Sequence, residues 1–564
     1  MRCPPEQVKH FLKGERISPG PRIDPARGRF EASLFAQNQL KNQAFIGNSR
    51  GVLEPPLGAR GGPSPAALLV DSAASEVPLS FERSSMSTRR FHLRTHGCQM
   101  NSHDSEKVAN LLLHEGYLES ARLESADLVI LNTCSIREKA EHKLYSELGA
   151  LREWKLAASG RLLGVGGCVA QQEGDALLRR FAHLDFVFGT HNLRLVPAMA
   201  AAALRGQRGA RVEESRDLAR FDLPARHPAF ESATPGRAFL TVMEGCDLFC
   251  SFCIVPTTRG REISRPAASI LEEARRLADS GVRELTLLGQ TVNAYGRHDL
   301  RRGVGAQAGT VAFAELLSRI DAIPGIERIR YTSPHPSFFD ADLIAAHGEL
   351  RALCPHVHLP LQSGSDRVLA DMRRRYRVSE YRAVVAALRR ARPDLAITTD
   401  LIVAFPGESE ADFCDTLALM RELGFADSYS FKYSPRPGTA AARRSDPVDP
   451  VEAQRRLESL QALQRQLTLE AHRRRVGERT QVLAIGPSRR GGRQWSGRDP
   501  YHRVVNFAAA DRALAPGDLL ELTIAEATPH SLIGEWPASA SSTASASPVR
   551  IDGRRADEPR SAGA

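Results

Sequence analysis

The chain predicts an α/β protein in three parts: a doubly wound parallel-sheet domain, a partial (β/α)6 barrel, and a small C-terminal β-barrel. Three observations carry that reading. From residue 90 onward, short apolar runs alternate with amphipathic helical stretches, the pattern of parallel βαβ units. Six such runs recur in the middle of the chain, each followed by polar or glycine-rich residues, as in an open barrel. After a long amphipathic helix the period shortens to about five alternating runs in roughly 65 residues, which suits a small barrel.

Taken in order, residues 1–88 scatter Pro, Gly, Ser and Arg without a sustained period and are expected to be disordered. Met86-Ser87-Thr88-Arg89-Arg90 stands directly before the first strand, so Met86 is expected to be the native start and the stretch before it an extension. Amino-terminal sequencing of the endogenous protein that found residues before Met86 would refute this. The first folded domain is expected over 89–206, with strands at 91–94, 126–131, 162–165 and 185–188 and helices at 104–115 and about 137–152. A charged, polar linker follows over 207–234. The barrel domain is expected over 235–470, with strands at 239–243, 284–288, 328–331, 356–359, 396–403 and 428–432. A helix from 451 to about 475 leads into the small barrel, 471–537, with strands at 480–485, 494–498, 502–507 and 518–524. Residues 538–564 read as a disordered tail.

Composition bounds the function. At 564 residues the chain has room for several domains, and 42% hydrophobic content is ordinary for a soluble protein. No apolar run approaches the roughly 18 residues of a membrane span, and the amino terminus lacks a signal-peptide core. Nine cysteines are too few and too clustered for a secreted disulfide scaffold, so a reducing cytoplasm and metal binding are expected. A formal net charge of +10 permits an anionic partner such as RNA. The excess of arginine and alanine also fits genomic base composition, so charge argues little by itself.

The cysteines say more. Cys246, Cys250 and Cys253 stand at C-x3-C-x2-C spacing behind the first barrel strand. Three thiolates on one loop hold three irons of a cubane cluster and leave the fourth iron open. A zinc loop would need a fourth Cys or His at finger spacing, and none is near. Cys98, Cys134 and Cys168 each lie just past a predicted strand of the first domain. Loops at the carboxyl ends of an open parallel sheet line one crevice, so these three meet there as well. One such cysteine alone would be read as a small buried hydrophobe; three at equivalent strand ends favour a second cluster. Cys354 and Cys414 fall outside both sets and are read as non-ligands, Cys414 as packing, and Cys3 has no assigned role.

C-x3-C-x2-C is the signature of the radical S-adenosylmethionine (AdoMet) enzymes, and the two cysteine sets together resemble their methylthiotransferase family over roughly residues 90–536. Gly97-Cys98-Gln99-Met100-Asn101, Asn132-Thr133-Cys134-Ser135-Ile136-Arg137-Glu138-Lys139, Gly166-Gly167-Cys168-Val169-Ala170-Gln171-Gln172-Glu173 and Met243-Glu244-Gly245-Cys246 are most similar to the branch that modifies isopentenylated tRNA. Two departures are Ala404, where the family usually has glycine, and Thr257, where tyrosine is common.

The resemblance implies a radical AdoMet barrel, a C-terminal TRAM domain that binds RNA, and two [4Fe–4S] clusters, on Cys98, Cys134 and Cys168 and on Cys246, Cys250 and Cys253. It implies AdoMet on the open iron of the second cluster, walled by strand-end loops, with Phe252, Gln290, Asn293 and Ser333 as cofactor-binding residues. No catalytic side chain beyond the cluster ligands is assigned. One AdoMet would methylate a sulfur on the first cluster. A second would yield the radical that removes hydrogen from adenine C2 of N6-isopentenyladenosine at position 37, beside the anticodon of tRNA. The other implied partner is an electron donor of unknown identity; the enzyme is expected to work as a monomer without a membrane. Arginines and Trp495 in the small barrel offer an RNA-gripping and stacking surface. The rivals are a sister methylthiotransferase, acting on threonylcarbamoyl-adenosine tRNA or a ribosomal protein, and a non-enzymatic iron–sulfur or zinc RNA-binding protein.

Overall fold

The computed structural model describes residues 89–537 apart from 136–137, 231–233, 489–493 and 511. The expectations for residues 1–88, with Met86 and Cys3, and for 538–564 lie outside the described residues.

The first sheet has six parallel strands in the order β2-β1-β3-β4-β5-β6. These are β1 Arg90–His96, β2 Leu118–Glu119, β3 Leu128–Thr133, β4 Leu162–Gly167, β5 Phe186–Phe188 and β6 Gly209–Arg211. β3 is buried at every position, and apolar over its first four, because both its faces are covered, as a doubly wound sheet requires. Leu128 and Ile130 pack with Val108 and Leu112 of helix α1 (Gln99–His114) and with Val196 of helix α4 (Val196–Leu204). Val129 and Leu131 point the other way, onto Leu144, Leu148 and Leu151 of helix α2 (Glu138–Leu156). A short helix α3, Cys168–Glu173, leaves β4 directly. The stretch expected as linker begins differently: β6 pairs with β5 and extends the sheet.

Next come six parallel strands in two groups of three. β7 Arg237–Thr241, β10 Glu284–Leu288 and β11 Arg328–Tyr331 form one group; β12 His356–His358, β13 Ala396–Val403 and β14 Asp427–Lys432 form the other. A single bridge, Ile329 to Leu353, links them, so the barrel is open. All six strands overlap the expected runs, though the first ends at Thr241 and Met243 belongs to a separate strand. Between β7 and β10 a small hairpin, β8 Met243–Glu244 with β9 Ile263–Ser264, brackets the three-cysteine loop.

The long helix spans Pro450–Arg473, and the C-terminal barrel closes in the order β15-β16-β17-β19-β18. Its strands are β15 Arg479–Pro487, β16 Gln494–Arg498, β17 Val504–Ala508, β18 Leu519–Ala527 and β19 Leu532–Glu535. This barrel seals the amino-terminal ends of the central strands. Glu284 lies 3.2 Å from Arg330 and 3.6 Å from Arg328, all three buried. Those arginines donate onward to the carbonyls of Arg498, Gln481, Pro500 and Asp499 at 2.7–2.9 Å. Only the carboxyl ends of the central strands, where barrel enzymes place their chemistry, remain for the cysteine loop.

Candidate metal centres

The loop set is built by one tight turn. Gly245 has φ 81°, and a Cβ there would lie 2.0 Å from the Arg261 carbonyl oxygen, so only glycine lets the chain leave β8 in this direction. Ser251 then pins the loop to the barrel. Its N–H donates to the Met372 carbonyl at 2.9 Å, its hydroxyl to that of Asp371 at 2.8 Å, and its own carbonyl accepts from Ala441 N–H at 2.8 Å. Cys246 Sγ lies 3.1 Å from Thr291 Oγ1, and Arg374 Nη1 donates to Cys250 Sγ at 3.4 Å. Burial pushes the Cys246 thiol up, and pushes Cys253 up to about 12. Thiols in that setting ionise only against a strong local cation, which is what a cluster's irons supply.

The four expected AdoMet residues fare differently. Gln290 accepts the Gly245 N–H through Oε1, and its Nε2 is buried without a partner among the described residues. Ser333 is exposed at the end of β11 with φ 57°. Phe252 packs beside Val368, Met372 and Phe405 as wall. Asn293 fastens two loops together: its amide donates to the His335 carbonyl at 3.0 Å and accepts from the His335 N–H at 2.8 Å.

Backbone strain gathers at the same end of the barrel. Phe249, Ser333, Gln362 and Ala404, each following a different barrel strand, all adopt positive φ between 50° and 73°. Left-handed non-glycine residues concentrate where function holds them. Ala404, at φ 59°, adopts a backbone conformation that glycine, the residue the resemblance expects there, takes up without strain.

The second set is assembled by topology. Cys98 follows β1, Cys134 follows β3, and Cys168 opens α3 behind β4. Gly167, at φ 93°, makes the approach possible: a Cβ there would fall 2.3 Å from Asn132 Oδ1 and 2.6 Å from the Thr133 carbonyl. The Cys134 thiol bridges the other two sulfurs. Its hydrogen bond brings Cys98 down to about 6 and Cys168 to about 7, against desolvation, with the nearby Arg259 guanidinium helping in both. Cys134 itself is pushed up by the same contacts. The hydroxyls of Thr133 and Ser135 are buried beside it without partners among the described residues.

Sequence reasoning gives no role to Arg259. It comes from the loop of the first set, six residues past Cys253, and enters the second set's crevice. Its Nη2 lies 2.6 Å from Asp104 Oδ2 on α1, with the two side chains 3% and 1% exposed. The backbone of that loop is held by the first domain too: Thr190 Oγ1 donates to the Thr258 carbonyl at 2.7 Å, and His191 Nε2 lies 2.9 Å from that of Arg259. Among the described residues no group of His, Cys, Asp and Glu forms a ready-made single-ion site. The case for iron–sulfur clusters rests on two all-thiol donor sets, buried at Cys134, Cys168 and Cys246 and half-buried at Cys98, Cys250 and Cys253, with cationic neighbours, which is the donor chemistry such a cluster needs.

Comparison with known proteins adds the decisive observation. Residues 90–189 match the family described as Uncharacterized protein family UPF0004, and residues 240–420 match the Radical SAM superfamily. The tRNA-2-methylthio-N(6)-dimethylallyladenosine synthase of Geobacter metallireducens is 51% identical over 79% of this chain and 97% of its own. The chain belongs to this synthase family. The synthase of Geobacter sulfurreducens is 50% identical over 79% of this chain and 96% of its own, and that of Mycobacterium ulcerans 45% over 80% and 84%. The two family matches coincide with the two cysteine sets of this radical AdoMet methylthiotransferase, one in each.

The synthase's C-terminal barrel uses some of its expected RNA-facing groups internally. Arg503 reaches Asp427 at 3.1 Å, Arg498 donates to the His502 carbonyl at 2.7 Å, and Trp495 packs against the barrel's own core. A cleft of about 420 Å³ instead runs along β14, lined by Tyr429, Phe431, Arg465 and His530; none of the six cysteines borders it. No described helix is long and apolar enough to cross a membrane.

Proposed function

We propose that the chain places a methylthio group on C2 of N6-isopentenyladenosine at position 37 of tRNA, using AdoMet and two [4Fe–4S] clusters. The observation that carries this reading is the pair of three-thiol sites joined through Arg259, in a chain about half identical to synthases named for that product. A cluster on Cys246, Cys250 and Cys253 supplies reductive cleavage of AdoMet, which side chains cannot perform. Such chemistry is called for because the C2–H bond of adenine is not acidic enough for a general base.

The chain's own residues do the rest. Gly245 and Ser251 set the loop against the barrel, and Gln290 Nε2 is the free donor beside it. Ser333 adds an exposed hydroxyl at the same end. The Glu284, Arg328 and Arg330 plug closes the far end of the barrel to water. An anticodon loop offers unstacked bases, and the cleft along β14 suits it. Tyr429 and Phe431 are 58% and 42% exposed there, with Arg465 beside them for phosphate. An external electron donor, a monomeric unit and a cytoplasmic setting complete the reading.

The test is nucleoside mass spectrometry after anaerobic incubation of reconstituted protein with AdoMet, reductant and isopentenylated tRNA. The 2-methylthio product should form on that tRNA and not on tRNA lacking the isopentenyl group. Product on threonylcarbamoyl-adenosine tRNA instead would overturn the substrate assignment.

A further inference from the structure

We propose that Arg259 is a positioning residue for the cluster at Cys98, Cys134 and Cys168, holding its reduction potential up from the loop of the other cluster. The proposal rests on the two-cluster reading above.

Three observations on the page converge. The guanidinium is 3% exposed although it comes from the other domain's cysteine loop. One of its nitrogens, Nη2, is paired with Asp104, while Nη1 is buried without a hydrogen-bond partner among the described residues. A buried cationic N–H left open is costly unless a further acceptor completes it. The thiols on which this cation acts are Cys98 and Cys168. A sulfur-rich, anionic cluster held there would be that acceptor.

The consequence follows from charge. A reduced cluster carries one more negative charge than an oxidised one, so a cation and its N–H groups favour the reduced form. Asp104, whose Oδ1 is likewise without a partner among the described residues, acts in the opposite sense. Because Thr190 and His191 of the first domain hold the backbone at Thr258 and Arg259, the cation stays fixed at the first domain's crevice although it belongs to the Cys246–Cys253 loop. The two sites are thereby linked by one side chain.

The experiment is a redox titration followed by electron paramagnetic resonance in protein carrying Cys246→Ala, Cys250→Ala and Cys253→Ala. In that protein only the first-domain cluster remains. Arg259→Met should lower its midpoint potential by at least about 59 mV, a tenfold change for a one-electron couple. Arg259→Lys should restore part of the shift, and Asp104→Asn should raise the potential. A residue that merely braces the interface would move neither potential, or both in the same direction, and either result overturns the proposal. If Arg259→Met fails to hold iron, the Arg259→Lys and Asp104→Asn proteins decide by the same criterion. Absence of any cluster in the triple-alanine parent is a different failure, that of the two-cluster reading itself.

Discussion

The two cysteine triplets reach similar chemistry by opposite routes. Cys246, Cys250 and Cys253 sit within eight consecutive residues, on one loop that a single glycine aims and Ser251 fastens. Cys98, Cys134 and Cys168 span 71 residues and meet only because β1, β3 and β4 are adjacent, parallel and in register. The first site is a local sequence feature carried by a barrel. The second exists only when a whole sheet has folded. Their surroundings differ accordingly: burial holds Cys246 and Cys253 protonated, while the shared hydrogen bonds and Arg259 draw Cys98 and Cys168 towards thiolate.

That contrast can be broken most sharply at the cysteines themselves. Cys250→Ala should abolish AdoMet cleavage, whereas Cys134→Ala should retain abortive cleavage to 5′-deoxyadenosine and lose all methylthio transfer. Full cleavage by Cys250→Ala would remove the ligand assignment. Next in size is Gly167→Ala. Its Cβ would meet Asn132 and the Thr133 carbonyl at a left-handed position, which costs more than about 3 kcal/mol. The expected readout is loss of about half the iron from reconstituted protein, with AdoMet cleavage preserved.

Arg374→Met probes the loop site in return. Removing the N–H bond to Cys250 should slow AdoMet cleavage about tenfold, about 1.4 kcal/mol in barrier, without changing iron bound in the first domain. Iron lost equally from both sites would mean that Arg374 supports the fold as a whole. The smallest effect is a gain. Ala404→Gly relieves a left-handed alanine and should stabilise the protein by about 1 kcal/mol in chemical denaturation, with cleavage unchanged.

The fold was legible because it depends on local pattern. The six central strands are short apolar runs cut by polar turns, and the first sheet's inner strands are apolar on both faces. β6 was read as linker because Gly209-Ala210-Arg211 has no strand pattern; it is an edge strand made by pairing with β5. β2, of two residues, and β19, of four, are likewise short and set by their neighbours. At the sites, C-x3-C-x2-C is written in the sequence, but the partners of the thiols are not. Arg259 finds Asp104 across 155 positions, and Arg374 finds Cys250 across 124. Arg374 sits in a run of three arginines that reads as a solvated face, and no period marks the middle one as inward. The bonds of Asn293 to the His335 backbone were equally unmarked in the sequence.

The most direct measurement is iron and acid-labile sulfide per chain after anaerobic reconstitution, in wild-type protein and in the Cys246→Ala, Cys250→Ala, Cys253→Ala variant. Two cubane sites predict about eight of each in the wild type and about four in the variant. Wild-type protein that binds only one cluster, or only zinc, would contradict the central claim that both triplets are cluster sites.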